Sequence, residues 1–240
     1  MTPSRPAMLG GDPSVTVLHP QPWPTVSLAA RAVVNSLLDQ GELSDYSQGE
    51  VLSTFDEVVR QYHGVPHVLG TSSGTAALHA AFHGVGIGPG DEVIVPSYSF
   101  HATVAPLFLL SAVPVLCDVD PDTGVIDLAD AANRITDRTR AIAVTHMWGH
   151  PADMDRLRDL ADRHHLMVVE DGSHAHGARY RGRLVGTFGD AAVFSLGARK
   201  MVSGGTAGVL LTQDERVLHR ALPLGHSHER AALTLPAANV

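Results

Sequence analysis

The sequence predicts an α/β fold, a mostly parallel seven-stranded sheet held between helices. Two observations carry this. Short apolar runs alternate with stretches of helical period from residue 67 to residue 212, the pattern of strands joined by crossover helices, and such sheets are covered on both faces. The composition, 44% hydrophobic with 23 glycines and 15 prolines in 240 residues, is that of a folded chain and neither low-complexity nor disordered.

Residues 1–26 read as an N-terminal arm, rich in proline and without period. A helix is expected over 27–40, with Leu28, Val33, Val34, Leu37 and Leu38 on one side and Gly41 ending it. A second covers 50–62, stopped by Gly64 and Pro66. Strands are expected over 67–70, 92–95, 113–119, 141–145, 167–170, 191–194 and 208–212, with helices over 74–82, 101–110, 128–134 and 153–164. No internal repeat is evident.

Composition also excludes classes of function. Seventeen basic against 25 acidic residues give a net charge of −8, which argues against nucleic-acid binding. No apolar run reaches the roughly 18 residues of a membrane span; the longest, over 102–117, is broken by Pro106, Ser111 and Pro114. Residues 1–11 lack the basic and apolar regions of a secretory signal. The single cysteine, Cys117, forms no internal disulfide, suits a reducing cytoplasm and reads as an inert core thiol. Fifteen histidines include the pairs His164–His165 and His226–His228, but no set of three with cysteine or acid support, so no metal site is expected.

Open parallel sheets bind ligands at the carboxyl ends of their strands, so the residues after each strand hold the chemistry. After the first comes Thr71-Ser72-Ser73-Gly74-Thr75-Ala76, opening a helix. Free N–H groups and a positive dipole end suit a phosphate there, while capping by Ser72 or Ser73 is the competing role. After the second come Tyr98, Phe100 and His101, rings able to wall a flat heterocycle or simply to pack. After the fifth come Glu170, Asp171 and, one helical turn on, His174. A carboxylate there is costly to bury without a cation, such as a protonated ring nitrogen; helix capping is the alternative. After the sixth come Ser195 and Lys200, ahead of the glycine-rich run 203–208.

Lys200 is the only lysine among sixteen arginines. Lysine can lose its proton and form an imine; arginine cannot. A phosphate nest, an aromatic wall, a carboxylate for a pyridinium and an imine-forming lysine are the parts that pyridoxal 5′-phosphate (PLP) requires. Gly84, Gly86, Gly88 and Gly90 do not make a dinucleotide loop, since they follow a helix and lead into a strand.

The chain resembles the DegT/DnrJ/EryC1/StrS aminotransferases. The resemblance rests on residues 74–78, 90–97, 118–121 and 146–154, on Glu170-Asp171 with His174-Ala175, and on Phe194-Ser195 ahead of Lys200. It implies the large domain of a fold-type I PLP enzyme over 27–240, and transfer of an amino group from glutamate or glutamine to a keto sugar or keto cyclitol. Lys200 would form the internal aldimine and then shuttle the proton. Asp171 would keep the pyridine nitrogen protonated. Phe100 would stack on the ring, and His174 would approach its other side or its phenolic oxygen. Gly74, Thr75, the Ala76 backbone and Ser195 would hold the phosphate. A lysine at 200 separates the chain from family dehydratases that carry histidine there. The run around Trp148 and Phe194 is most similar to members acting on cyclitols or unusual sugars, and antibiotic or other secondary metabolism is implied.

Two departures stand beside the resemblance. The family's Gly-Glu-Gly-Gly after the lysine is replaced by Ser203-Gly204-Gly205-Thr206-Ala207-Gly208, without the acid. The family also continues into a small C-terminal domain, whereas this sequence stops at Val240. A homodimer is expected, with Asn239 the candidate for the family asparagine that reaches the partner's phosphate. A second chain supplying the C-terminal domain, a non-catalytic subunit of the same fold, and a lyase or cyclase reaction are the alternatives carried forward.

Overall fold

Sequence-local signals set most element ends. The computed structural model describes residues 7–12, 23–42, 49–224 and 232. Helix α1 (Leu28–Gln40) begins where the Ser27 hydroxyl accepts from the Ala30 N–H and ends at Gly41, left-handed at φ 73°. Helix α2 (Glu50–His63) ends the same way at Gly64. There follow β1 (His67–Thr71), α3 (Gly74–Gly84), β2 (Glu92–Pro96), α4 (Ala105–Leu109), β3 (Val113–Cys117), α5 (Leu128–Asn133), β4 (Thr139–Thr145) and α6 (Met154–His164). The chain continues through β5 (Met167–Asp171), β6 (Arg179–Tyr180), β7 (Arg183–Leu184), β8 (Ala191–Ser195), β9 (Gly208–Thr212) and α7 (Glu215–Ala221).

Seven strands form one sheet in the order β1-β9-β8-β5-β4-β2-β3, with β6 and β7 a separate hairpin. Within the sheet only β9 runs against the others; it pairs antiparallel with both β1 and β8. The carboxyl ends of the remaining six therefore share one edge. Alternation along the strands explains how both faces are buried. Ala141, Ala143 and Val169 face α3, α4 and α7, while Ile142, Val144 and Val168 face α5 and α6. A third cluster, centred on Phe194, packs under α2.

The differences from expectation have local causes. The helix expected over 101–110 is a 3-10 turn (His101–Thr103) followed by α4. Pro106 lies in the first turn of α4, where it lacks an N–H to donate and its ring would crowd the carbonyl four residues back. The strand expected over 113–119 ends at Cys117, and Val119 forms only an isolated bridge with Ile126. Helix α1 forms, but none of its residues is buried. Gly84 ends α3, and Gly86, Gly88 and Gly90 lie in the link to β2, with Gly86 and Gly90 at positive φ. Cys117 is buried, and that burial pushes its thiol up to about 12. Among the described residues no helix is long and apolar enough to cross a membrane, and no three His, Cys, Asp or Glu side chains cluster as metal ligands. His226, His228 and Asn239 lie outside the described residues.

Candidate active site

The shared carboxyl edge brings the end of β1 with the start of α3, the loop after β2, the ends of β4 and β5, and the loop after β8 around one cavity of about 110 Å³. Gly74, Thr75, Phe100, Asp171, His174, Ser195 and Lys200 all line it. Residues up to 126 positions apart thus meet in one place (74 to 200). Ala76 does not line it. A larger cleft of about 680 Å³ between α5 and α6 is lined by Arg156, Asp159, Asp162 and Arg163 but holds no candidate nucleophile.

At one end of the cavity the β1–α3 turn is drawn tight. The Thr71 hydroxyl donates to the Ser73 carbonyl at 2.9 Å, and the Ser73 hydroxyl accepts from the Ala76 N–H at 3.1 Å. Ser73 is therefore the helix cap, and the Ala76 N–H is committed to it. The N–H groups of Gly74 and Thr75, in the first turn, have no intrahelical partner by helix geometry. Two glycines permit this packing. A Cβ on Gly74 would lie 2.6 Å from the Ser195 Cβ, and one on Gly208 would lie 2.4 Å from the Ser73 carbonyl carbon and oxygen. Ser195 is held in turn: its N–H donates to the Ser173 hydroxyl, and its carbonyl accepts from His176 Nε2 at 2.9 Å.

The middle of the cavity is walled by rings. Phe100 is 55% exposed and leans on His101 with centroids 4.2 Å apart. In the loops after β5, β4 and β2, His174 stacks on Trp148 at 5.1 Å and 21°, while Trp148 Nε1 donates to the Tyr98 hydroxyl at 3.0 Å. Trp148 holds φ 53°, a left-handed conformation strained for a large side chain, followed by Gly149 at φ 85°. Burial, and secondarily the Lys200 charge, push His174 below the ordinary histidine range. Asp171 is buried at the end of β5, where Oδ2 accepts from the Thr103 hydroxyl at 2.7 Å and Oδ1 from the Ser173 N–H at 3.1 Å.

Lys200 is half-buried, its backbone N–H bonded to the Gly197 carbonyl and its own carbonyl accepting from Trp23 Nε1. Burial pushes its amine below the usual lysine range, with the Asp171 carboxylate pulling the other way. A lysine so placed spends more time as the free amine, the form that attacks a carbonyl. The cavity fits a flat, phosphorylated pyridine. The start of α3, the Phe100 and His174 rings, the buried Asp171 carboxylate and the Lys200 amine are the groups that would hold it.

Strand-end reasoning did not single out Ser99, Thr103 or Thr145, which join Asp171 through hydroxyls, nor the role of Glu170. Glu170 and His146 are wholly buried side by side. Glu170 accepts four hydrogen bonds, from His146 Nε2, Gly186 N–H, Phe188 N–H and Gly189 N–H. The Ala152 N–H donates to His146 Nδ1, so the ring proton sits on Nε2, aimed at Glu170. Burial alone would raise the Glu170 carboxyl; these donors hold it below its ordinary value. Thr145 ends β4, so the same strand-end rule reaches it.

The model of the DegT/DnrJ/EryC1/StrS aminotransferase family matches residues 28–231. The L-glutamine:2-deoxy-scyllo-inosose aminotransferase of Streptomyces paromomycinus is 40% identical over 219 residues, 89% of this chain and 51% of its own length. An aminotransferase structure from Psychrobacter cryohalolentis superposes with a TM-score of 0.80 at 34% identity, covering 83% of this chain and 51% of that one. NtdA from Bacillus subtilis, solved with bound cofactor PMP, gives 0.74 at 29% identity over 82% of this chain and 45% of that one. The chain spans about half the length of the curated relatives it matches. With that match and this cavity, the chain belongs to the DegT/DnrJ/EryC1/StrS aminotransferase family.

Proposed function

We propose that the protein is a PLP-dependent aminotransferase that moves an amino group from glutamine or glutamate to a keto cyclitol or keto sugar. The observation that carries this is the convergence of Lys200, Asp171, His174, Phe100, Ser195 and the start of α3 on one cavity. The relatives support the substrate class: one is a glutamine-dependent aminotransferase of an inosose and another is a GDP-perosamine synthase. PLP, when bound, supplies an electron sink and carries the amino group between donor and acceptor.

The chain's own residues do the rest. Lys200 offers Nζ as the attachment point and, once displaced, as a base that takes and returns a proton; its depressed value suits both tasks. Asp171 would present its carboxylate to the ring nitrogen, oriented by the Thr103 hydroxyl and the Ser173 N–H. Phe100 would stack on the ring and His174 would approach its other side or its phenolic oxygen, with Trp148 stacked behind His174. Thr75, Ser195 and the Gly74 and Thr75 N–H groups would hold the phosphate, with the positive end of α3 behind them. Ala76, its N–H given to Ser73, contributes through the turn it closes.

We extend the reading to a cytoplasmic homodimer. Exposed Phe100, Trp148 and Met201 around the cavity mouth, and exposed Val33, Val34 and Leu38 on α1, support a covering surface from another protein molecule. Further acceptor contacts are expected from the half of the relatives that these residues do not match, whether carried on this polypeptide or on a second one. The test supplies PLP, glutamine and a keto cyclitol, and follows the aminated product by mass spectrometry. Product formation that disappears with Lys200→Ala supports the reading; product formation that survives Lys200→Ala refutes it.

A further inference from the structure

A chain of hydroxyls, buried at Thr103 and Thr145 and half-buried at Ser99, runs from the cavity wall to Asp171. Thr145 Oγ1 lies 2.9 Å from Ser99 Oγ, Ser99 Oγ lies 2.8 Å from Thr103 Oγ1, and Thr103 Oγ1 donates to Asp171 Oδ2 at 2.7 Å. Thr103 and Thr145 are both buried, and Thr145 also lines the cavity. The direction of donation follows from proton counting. Each hydroxyl has one proton. Thr103 gives its proton to the carboxylate, so the Ser99 proton goes to Thr103 and the Thr145 proton goes to Ser99. All three dipoles therefore point the same way, toward Asp171, and each bond polarises the next.

This arrangement rests on three separate segments, the loop after β2, the turn before α4 and the end of β4, and packing alone does not require it. Valine would fill the same volume at 103 and 145. With Oδ2 bonded by Thr103 and Oδ1 by Ser173, both carboxylate oxygens are fixed in rotation, and each keeps lone-pair capacity for a ligand in the cavity.

The geometry points to Thr103 as the positioning residue of Asp171, the head of a hydroxyl relay that orients the carboxylate toward the ring nitrogen of the cofactor. The inference rests on the PLP reading above and deepens it. Thr103 itself touches neither substrate nor cofactor; it acts through Asp171.

The experiment is a double-mutant cycle on PLP affinity, read by the absorbance of the cofactor bound at Lys200. Thr103→Val removes the donated proton and keeps the shape, and is expected to weaken PLP binding about tenfold, the loss of a hydrogen bond to a charged acceptor. Thr103→Ser, which restores the hydroxyl, is expected to recover most of that loss, a rescue that volume alone would not give. In an Asp171→Asn background, Thr103→Val is expected to add little. Equal losses from Val and Ser, or full additivity with Asp171→Asn, would overturn the relay. If the unmutated chain binds no PLP, the cofactor reading fails by itself. The relay is then read from urea unfolding of the same four proteins, where additive losses of stability count against it and non-additive losses support it.

Discussion

Replacing Glu170 with glutamine is expected to destabilise the protein far more than a change of one atom suggests. The four donors to Glu170 divide evenly: Oε1 accepts from the Phe188 and Gly189 N–H groups, and Oε2 from Gly186 N–H and His146 Nε2. Whichever position the glutamine nitrogen takes, it faces two donors. Rotating the amide exchanges one conflict for the other. His146 cannot relieve it, because its Nδ1 is engaged by the Ala152 N–H. Two hydrogen bonds to a charged acceptor are lost, each worth about 1.5–3 kcal/mol, in a site with no access to water. The expected loss is ~3–5 kcal/mol, the range found when one member of a buried pair is removed. For a chain of this size that lowers Tm by about 6–20 °C. Urea and thermal unfolding followed by circular dichroism measure it. The pH dependence adds a sign. A carboxyl held below its ordinary value contributes stability above that value and loses it as pH falls through the folded-state pKa, so the gap between the two proteins should narrow in acid. A loss under ~1 kcal/mol at neutral pH, or a gap that widens in acid, would mean that the four donors do not depend on the carboxylate.

Two further outcomes are expected. The rate at which Lys200 captures PLP should fall with falling pH, with a midpoint below that of an ordinary lysine, because burial disfavours its ammonium form; Asp171→Asn removes the carboxylate that opposes this and should move the midpoint lower still. An upward shift on Asp171→Asn contradicts the assignment. Gly208→Ala places a Cβ 2.4 Å from backbone atoms of Ser73, which no rotamer relieves, and should cost about 1–3 kcal/mol while weakening PLP binding, whereas Gly204→Ala, 3.5 Å from the Ala207 Cβ, should be near neutral in both unfolding and PLP titration.

Much of the site was legible because one rule sufficed: in a parallel sheet, chemistry collects where strands end. Thr75, Asp171, Ser195 and Lys200 each follow an apolar run, and each lines the cavity. The rule does not reach contacts set by tertiary packing. Thr103 and Asp171 are 68 positions apart, and nothing near Thr103 in the sequence marks it as the donor to that carboxylate. Glu170 precedes Asp171 in the same motif, but side chains alternate along a strand, so one turns into the cavity and the other into the core. The hairpin of β6 and β7 is two residues per strand, too short to show a period. Helix α7 is only seven residues, and its cap, Asp214, is of a type equally common in turns. The break before α4 was written in the sequence, since Pro106 marks it, but the apolar residues on both sides read as one helix.

Everything proposed for the cavity turns on Lys200 as the attachment point of PLP. The most direct measurement adds PLP, reduces with borohydride and maps the modified peptide by mass spectrometry. A stable adduct on Lys200, in a sample whose Lys200→Ala counterpart stays folded and unmodified, is the predicted result. A folded sample that takes up no PLP, or carries it only at the amino terminus, would rule Lys200 out as the attachment point.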